Sequence, residues 1–269
     1  MNREVLARLA RLPASAALIK ALMGREISAK YKGSFAGLAW YFIQNTVLLI
    51  VYGFVFGVLF GARWNEAGAE KVGFIPMLFL GLIIFNIFAE CVARAPSELI
   101  YNKNYVTKVV FPLEILSIVA LGAALFNALV ATSLLVILCI ILGAWFTWTA
   151  FWLPVVLLPF FLMILGIQWF LNSLGVFVRD IHHVVSLLIT VLMFISPVFY
   201  PRTMFPEQYR FVLNFNPLTI PVDQARRVLF FGLPPQFGEL LVYWVAAMLV
   251  ALAGFTWFNK TREGFADVL

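Results

Sequence analysis

Charge is scarce in this sequence: Asp, Glu, Lys and Arg make up 12% of its 269 residues, where a water-soluble domain carries roughly 25%. Cysteine is nearly missing. Cys91 and Cys139 both fall in or beside apolar runs, which excludes a disulfide framework and any cysteine-based metal spacing. The pattern G-x-x-x-x-G-K-[ST] does not occur, so the chain has no P-loop with which to hold ATP. No Ser/His/Asp set suited to nucleophilic catalysis is apparent. What fills the sequence is apolar: 63% of residues are hydrophobic and the mean hydropathy is +0.97. A water-soluble core cannot hide that much apolar surface, so lipid must be the solvent.

A spanning helix needs about 20 apolar residues, and a charge at mid-bilayer costs roughly 2.5–3.5 kcal/mol on insertion scales. Charge-free runs therefore mark the spans. The spans read from them fall at about 38–60, 73–92, 113–143, 152–178, 184–200 and 240–258, with Glu90 near the end of the second and Glu114 at the start of the third. The stretch 115–178 holds no charged residue in 64 positions. As one helix it would reach about 96 Å against a hydrocarbon core near 30 Å, so it must be two spans. Gly, Thr, Trp and Pro154 cluster at 143–152 and place the turn there. The apolar stretch 16–23 is short and interrupted by Lys20, so it lacks the signal-peptide pattern, and the first span is expected to direct insertion.

Six spans put both termini on one side. With that side cytoplasmic, 13 of the 19 Lys and Arg residues lie inside, which satisfies the positive-inside rule. The formal charge of +6 is thus a topology signal, not a nucleic-acid footprint. The expected organisation is a cytoplasmic segment 1–34, a membrane domain 35–258 and a cytoplasmic tail 259–269.

Four segments are not plain spans. Leu18, Ile19, Leu22, Met23 and Ile27 share one helical face, with Lys20, Arg25, Glu26, Lys30 and Lys32 on the other. That pattern predicts a helix lying in the membrane surface, basic face toward lipid phosphates, in preference to a basic leader serving topology alone. In 94–111, Pro96 suits a first helical turn and Glu98 sits near the positive end, predicting a short polar helix over 96–104 that either docks on a partner or serves as a solvated connector. At 179–183, His182 and His183 are adjacent and expected to diverge, so an interfacial helix terminus is read there and no metal site. The segment 201–238 holds six of the 13 prolines and the pair Arg226-Arg227. It is too polar to span and too apolar to be free, and is read as two half-helices, about 205–213 and 222–231, dipping back from the outer face.

Gly53, Gly57 and Gly61 make consecutive small-xxx-small steps, a helix-packing signal. Gln44, Asn45, Asn86, Asn127, Gln168 and Asn172 are intramembrane amides; they either line a path or, as the preferred reading, bond across helices. Trp40, Tyr41, Trp64, Trp145, Trp148 and Trp152 lie near span ends as an interfacial belt would. Aromatic faces also suit sliding contact with the C–H faces of sugars. The long spans show none of the acid and base residues that mark proton relays.

The succession Arg25-Glu26-Ile27, Lys30-Tyr31-Lys32 and Gly37-Leu38-Ala39-Trp40 resembles the start of the first span in permease subunits of type-2 ABC exporters of bacterial polysaccharides. The resemblance continues through Tyr101-Asn102-Lys103, Lys108-Val109-Val110-Phe111-Pro112 and Phe177-Val178-Arg179-Asp180-Ile181. It closes with Ser196-Pro197-Val198-Phe199-Tyr200 and Asn216-Pro217-Leu218, covering nearly the whole chain. One departure is Gln44-Asn45 where the family often has a proline, so the first span is expected to be straighter.

The resemblance implies an all-α membrane fold of six transmembrane helices with an N-terminal amphipathic interface helix, a cytoplasmic coupling helix and re-entrant helices before the last span. It implies a homodimer in the bacterial inner membrane, joined to two copies of an ABC ATPase that binds ATP and magnesium, while this chain binds no cofactor or metal. Arg25, Glu26 and Lys30 then belong to the interface helix, and Arg94, Glu98, Tyr101, Asn102, Lys103 and Tyr105 to ATPase coupling. Arg179 and Asp180 fall in a cytoplasmic loop; Tyr200, Phe205, Tyr209, Asn216, Pro217 and Arg226 fall in the gate region. The passenger is a lipid-linked polysaccharide, O-antigen ahead of capsule or teichoic acid. Two alternatives compete: a drug or lipid exporter on the same fold, and a glycan-modifying membrane enzyme resting on His182, His183 and Asp180.

Overall fold

The computed structural model describes residues 15–31, 37, 39–59, 72–107 and 111–269. Every regular element among them is helical. Helix α1 is Ala16–Tyr31, and α2 is Ala39–Tyr52, running on as a wider π-wound stretch, Gly53–Leu59. Helix α3 is Phe74–Tyr101, α4 is Lys103–Thr107, α5 is Ile115–Leu142 and α6 is Leu153–Phe177. Helix α7 is Ile181–Ile195, α8 is Arg210–Phe215, α9 is Thr219–Leu229, α10 is Phe237–Thr261 and α11 is Phe265–Val268. Five of these, counting α2 with its π stretch, are long and apolar enough to cross a bilayer, so the chain is a multi-pass membrane protein.

The turns come where the local chemistry demands them. Gly143, at φ +68°, ends α5 in the left-handed conformation, and Pro154 sits in the first turn of α6. Helix α3 is apolar on all sides, and Met77 to Phe88 are buried with one exception, Asn86. It is the central post, with α5, α6, α7 and α9 packed around it. Helix α10 lies along α6 so closely that Gly166 and Gly254 face each other backbone to backbone.

The fifth crossing differs from the run expected at 184–200. Helix α7 stops at Ile195, because Pro197 disfavours helical backbone at Ser196, whose ψ is 150°. Its 15 residues reach about 22 Å, short of the core. It still passes from one end of the bundle to the other: Phe177, just before it, lies against Gly264, while Val198, just after it, meets Gly81 near the start of α3. Beyond it, 196–201 is a non-helical stretch of bends and turns.

Helix α2 ends in the wider π-wound stretch Gly53–Leu59. Gly53 and Gly57 lie there against the Ile75 and Phe74 side chains at ordinary van der Waals distance, and Gly61 lies outside the described residues. Helices α2 and α7 sit at the periphery: α7 buries Val185 alone, and α2 buries Asn45 and Leu49.

Candidate functional site

Two polar regions stand at opposite ends of α3. At the α1 end, a predicted separate helix over 96–104 is corrected: α3 runs straight through Pro96 to Tyr101. Pro96 is buried under the backbone of Gly175, and this packing holds the helix where a proline would otherwise weaken it. The break falls at Asn102 instead. Its side-chain amide donates to the Glu98 carbonyl at 2.9 Å, and Tyr105 N–H then bonds the Asn102 carbonyl at 2.9 Å to start α4. Tyr101 stands 84% exposed at the tip, with Lys103 beside it.

Behind the tip is an ionic web. The Arg94 guanidinium bonds Glu98, with Nε–Oε2 at 2.6 Å, and also pairs with Glu26 of α1. Glu98 is nearly fully buried, so this pairing is what makes its burial tolerable. Lys30 pairs with Glu90 at 2.7 Å, and Asn127 of α5 donates to both Glu90 oxygens at 2.8 and 2.9 Å. Arg25 donates to the Tyr105 hydroxyl at 2.9 Å, and the Tyr105 ring stacks on Phe111 at 4.5 Å. A cavity of about 410 Å³ lies among Glu26, Lys30, Glu90, Arg94 and Asn127.

This arrangement revises the reading of α1 as a helix whose basic face meets lipid phosphates. Arg25 and Lys30 turn to Tyr105 and Glu90, and Leu22 and Met23 pack on Leu99, Phe111 and Leu116. The reason is the two carboxylates, Glu90 and Glu98, that α3 carries where α1 crosses it; both need cations. Because Lys30 and Glu90 side chains are 46% and 32% exposed, their pair is worth little. Lys30→Ala should lower stability by no more than about 1 kcal/mol, read as a small shift in the unfolding midpoint of detergent-purified protein. A loss of several kcal/mol would show the pair to be desolvated.

Arg179 and Asp180 form the exposed turn between α6 and α7. His182 Nδ1 lies 3.0 Å from the Arg179 carbonyl. The two histidine rings do not diverge: they lie close together, 3.8 Å between centroids and tilted by 39°, in the first turn of α7. Among the described residues no third group joins them to make a metal site.

At the far end the segment after α7 folds back into the bundle. Tyr200 Oη donates to the Phe194 and Ile195 carbonyls at 2.9 and 2.7 Å, closing the frayed end of α7, and its ring stacks with Phe205. Asn216 Nδ2 donates to Ser196 Oγ at 2.9 Å, while its Oδ1 accepts the Leu218 N–H at 2.9 Å. The Pro217 carbonyl accepts from Tyr243 Oη at 2.8 Å. Tyr243 lies six residues into α10, about 9 Å below its start, so the segment re-enters the bundle. The two half-helices expected near 205–213 and 222–231 are short turns leading into α8, and α9, Thr219–Leu229.

Arg226 fixes α9. It is 2% exposed, and its Nε and Nη2 donate to the Met77 carbonyl at 3.1 and 3.0 Å. Nη1 donates to the Pro197 carbonyl at 2.5 Å and Nη2 to that of Val198 at 2.8 Å. Of the gate residues read from the sequence, Tyr200, Phe205, Asn216, Pro217 and Arg226 are drawn into this one region. Tyr209 stands exposed at the start of α8.

Three side chains that sequence reasoning missed complete it. Thr149 Oγ1 donates to the Val228 carbonyl at 2.7 Å and Thr147 N–H to that of Leu229 at 3.0 Å, capping the last turn of α9; Tyr243 holds Pro217. The signal available was Thr147-x-Thr149 between two spans, hydroxyls placed where a neighbouring helix must end. Three of the six intramembrane amides bond across helices: Asn127 to Glu90, Gln168 to the Cys91 carbonyl at 3.2 Å, Asn172 to Ser117 at 2.9 Å; Asn45 donates instead to the Tyr41 carbonyl of its own helix at 2.8 Å.

Residues 17–230 match the membrane family described as ABC-2 type transporter. The chain is similar to the O-antigen export system permease protein RfbA of Myxococcus xanthus, with 29% identity over 252 residues, 93% of this chain and 94% of that protein. An RfbA of Klebsiella pneumoniae is 21% identical over 253 residues, 94% of this chain and 95% of its own length. The polysialic acid transport protein KpsM of Escherichia coli is 27% identical over 253 residues, covering 91% and 93%.

Proposed function

Because the chain belongs to the ABC-2 type transporter family, we propose that it is the permease subunit of an ATP-driven exporter moving a lipid-linked polysaccharide, of the O-antigen kind, across the bacterial inner membrane. The observation that carries this reading is the similarity to an O-antigen export permease over 93% of the chain. KpsM, named for polysialic acid, supports the wider class of surface polysaccharides.

In this reading both termini and the tip of α3 face the cytoplasm, and the segment 201–236 faces outward. The basic residues of α1 and of 94–108 support that orientation through the positive-inside rule. A separate ATPase presses on Tyr101, Lys103 and Tyr105. Helix α3 transmits the push: one stiff helix of 28 residues, about 42 Å long, carries the tip at one end and the Arg226 clasp at the other. The ionic web carries α1 along with it. Two copies associate through the peripheral helices α2 and α7, whose apolar faces are largely uncovered within one protomer, and the glycan threads between them.

Co-expression with a partner ABC ATPase is the test. Tyr101→Ala combined with Tyr105→Ala should leave membrane insertion unchanged and reduce ATP-coupled export severely; normal export in the double variant would count against the coupling role. A deletion strain should accumulate lipid-linked glycan at the inner face. Drug sensitivity without such accumulation would move the function to a drug exporter. Labelling of 94–108 from outside the cell would overturn the orientation.

A further inference from the structure

The segment 202–239 encloses a second cavity, of about 440 Å³, between the turns after α7, helix α9 and the start of α10. That volume is in the range of small-molecule sites, about 300–1,000 Å³. In a chain this apolar its lining is anomalous: nine of the ten residues are polar or charged, and the tenth is Phe231. Four arginines face two carboxylates, a formal excess of two positive charges.

The polar groups divide into walls and one open fork. Gln224, almost fully buried, donates to Gln236 Oε1 at 3.1 Å and accepts the Gln236 N–H at 2.8 Å. Arg202 is held by Glu239 at 3.4 Å and Asn214 at 3.0 Å. Arg210 donates to the Phe205 and Thr203 carbonyls and to Glu207. Arg226 is turned to its three backbone carbonyls. Arg227 differs. Its Nε donates to the Pro234 carbonyl at 2.7 Å, which fixes the plane of the guanidinium. Among the described residues, neither of its terminal amino groups has a hydrogen-bond partner. A guanidinium anchored at Nε with both Nη groups open fits a carboxylate or phosphate in bidentate fashion. Phe231 is the one aromatic residue lining the cavity, and an aromatic face suits the C–H side of a sugar ring.

We propose that this cavity binds an anionic, hydroxyl-bearing group, such as a carboxylated or phosphorylated sugar unit, with Arg227 holding the acid and Phe231 the ring. The proposal rests on the polysaccharide reading above and extends it to a site at the outer end, where an acidic unit of the emerging chain would be held. A glycerophosphate lipid headgroup has the same chemistry, and the test separates the two sources.

Full-length protein in phosphatidylcholine nanodiscs would be titrated with a soluble oligosaccharide bearing one carboxylate per unit, and with a neutral oligosaccharide of equal length. A parallel set of nanodiscs would contain phosphatidylglycerol. Saturable binding of the acidic oligosaccharide, weak binding of the neutral one and at least about a tenfold loss in Arg227→Ala are expected. Arg227→Lys, which keeps the charge without the fork, should fall between, with its ligand-free unfolding midpoint unchanged. If phosphatidylglycerol instead raises the midpoint of the wild type and not of Arg227→Ala, the site holds and its occupant is the headgroup. Should neither ligand act on the wild type, or both act equally on Arg227→Ala, the proposal is wrong. These measurements need neither the ATPase nor export, so they fail independently of the exporter reading.

Discussion

Arg226→Ala is expected to insert into the membrane but to lose the fixed position of α9, with about 3 kcal/mol of stability gone. The Pro197 and Val198 carbonyls lie in the non-helical stretch after α7. Among the described residues the donor seen for both is the Arg226 guanidinium. Non-helical backbone at membrane depth persists only where protein satisfies its polar groups, and each carbonyl stripped of its donor costs about 1–3 kcal/mol. Part of that loss is offset because a desolvated charge disappears too. Arg226→Lys should recover a fraction, since one ammonium cannot reach Met77, Pro197 and Val198 together. Gly81→Ala should imitate the defect, because its Cβ would lie 2.6 Å from Arg226 Nη2 and 3.3 Å from the Val198 carbonyl oxygen. Two readouts check this: the unfolding midpoint, and thiol labelling of a Val222→Cys reporter, a position fully buried in α9 itself. Cys91 and Cys139 are both buried and give little background. An Arg226→Ala protein that melts with the wild type and keeps the reporter protected would show that the clasp holds nothing.

Much of this architecture was legible because the bilayer imposes one strong rule, that charge stays out. The run 115–178 had to be cut near Gly143, and the structure turns there. The re-entrant segment betrayed itself as too apolar for water and too rich in proline for a span, and α9 indeed dips back beneath Thr147 and Thr149. What escaped was decided by pairwise packing, which no one-dimensional pattern records. Pro96 signals a helix start in isolation, yet pressed against Gly175 it stays inside α3. Arg25 and Lys30 look like lipid ligands until α1 is laid across Glu90 and Tyr105. Arg226 was placed in the gate from its neighbourhood; that it is buried and spent on backbone carbonyls follows only from where α7 breaks.

The glycines make the same point and yield the second large effect. Gly53, Gly57 and Gly61 carried the visible repeat, whereas among the described residues the closest backbone approaches lie at Gly166, Gly175 and Gly254, which share no short period. A Cβ on Gly166 would stand 2.5 Å from the Val250 carbonyl oxygen and 2.7 Å from Ala251 Cα, and one on Gly254 would land on the Gly166 carbonyl. These obstacles are backbone, so no side chain can swing aside, and α6 and α10 would have to part. Helices in lipid are held together by close packing and interhelical hydrogen bonds, not by exclusion of water, so separation forfeits most of what joins them. It would also stretch the Ser173–Thr261 hydrogen bond, 2.7 Å long between the same two helices. Gly254→Ala should cost about 1–3 kcal/mol, and Gly166→Leu should eliminate the monodisperse folded species altogether. Gly238→Ala, in the same helix α10 but with open space around it, should be neutral or slightly stabilising. Size-exclusion profiles and unfolding midpoints of the three variants, expressed side by side, decide the matter: a folded Gly166→Leu protein would mean that α6 and α10 do not touch where their glycines meet.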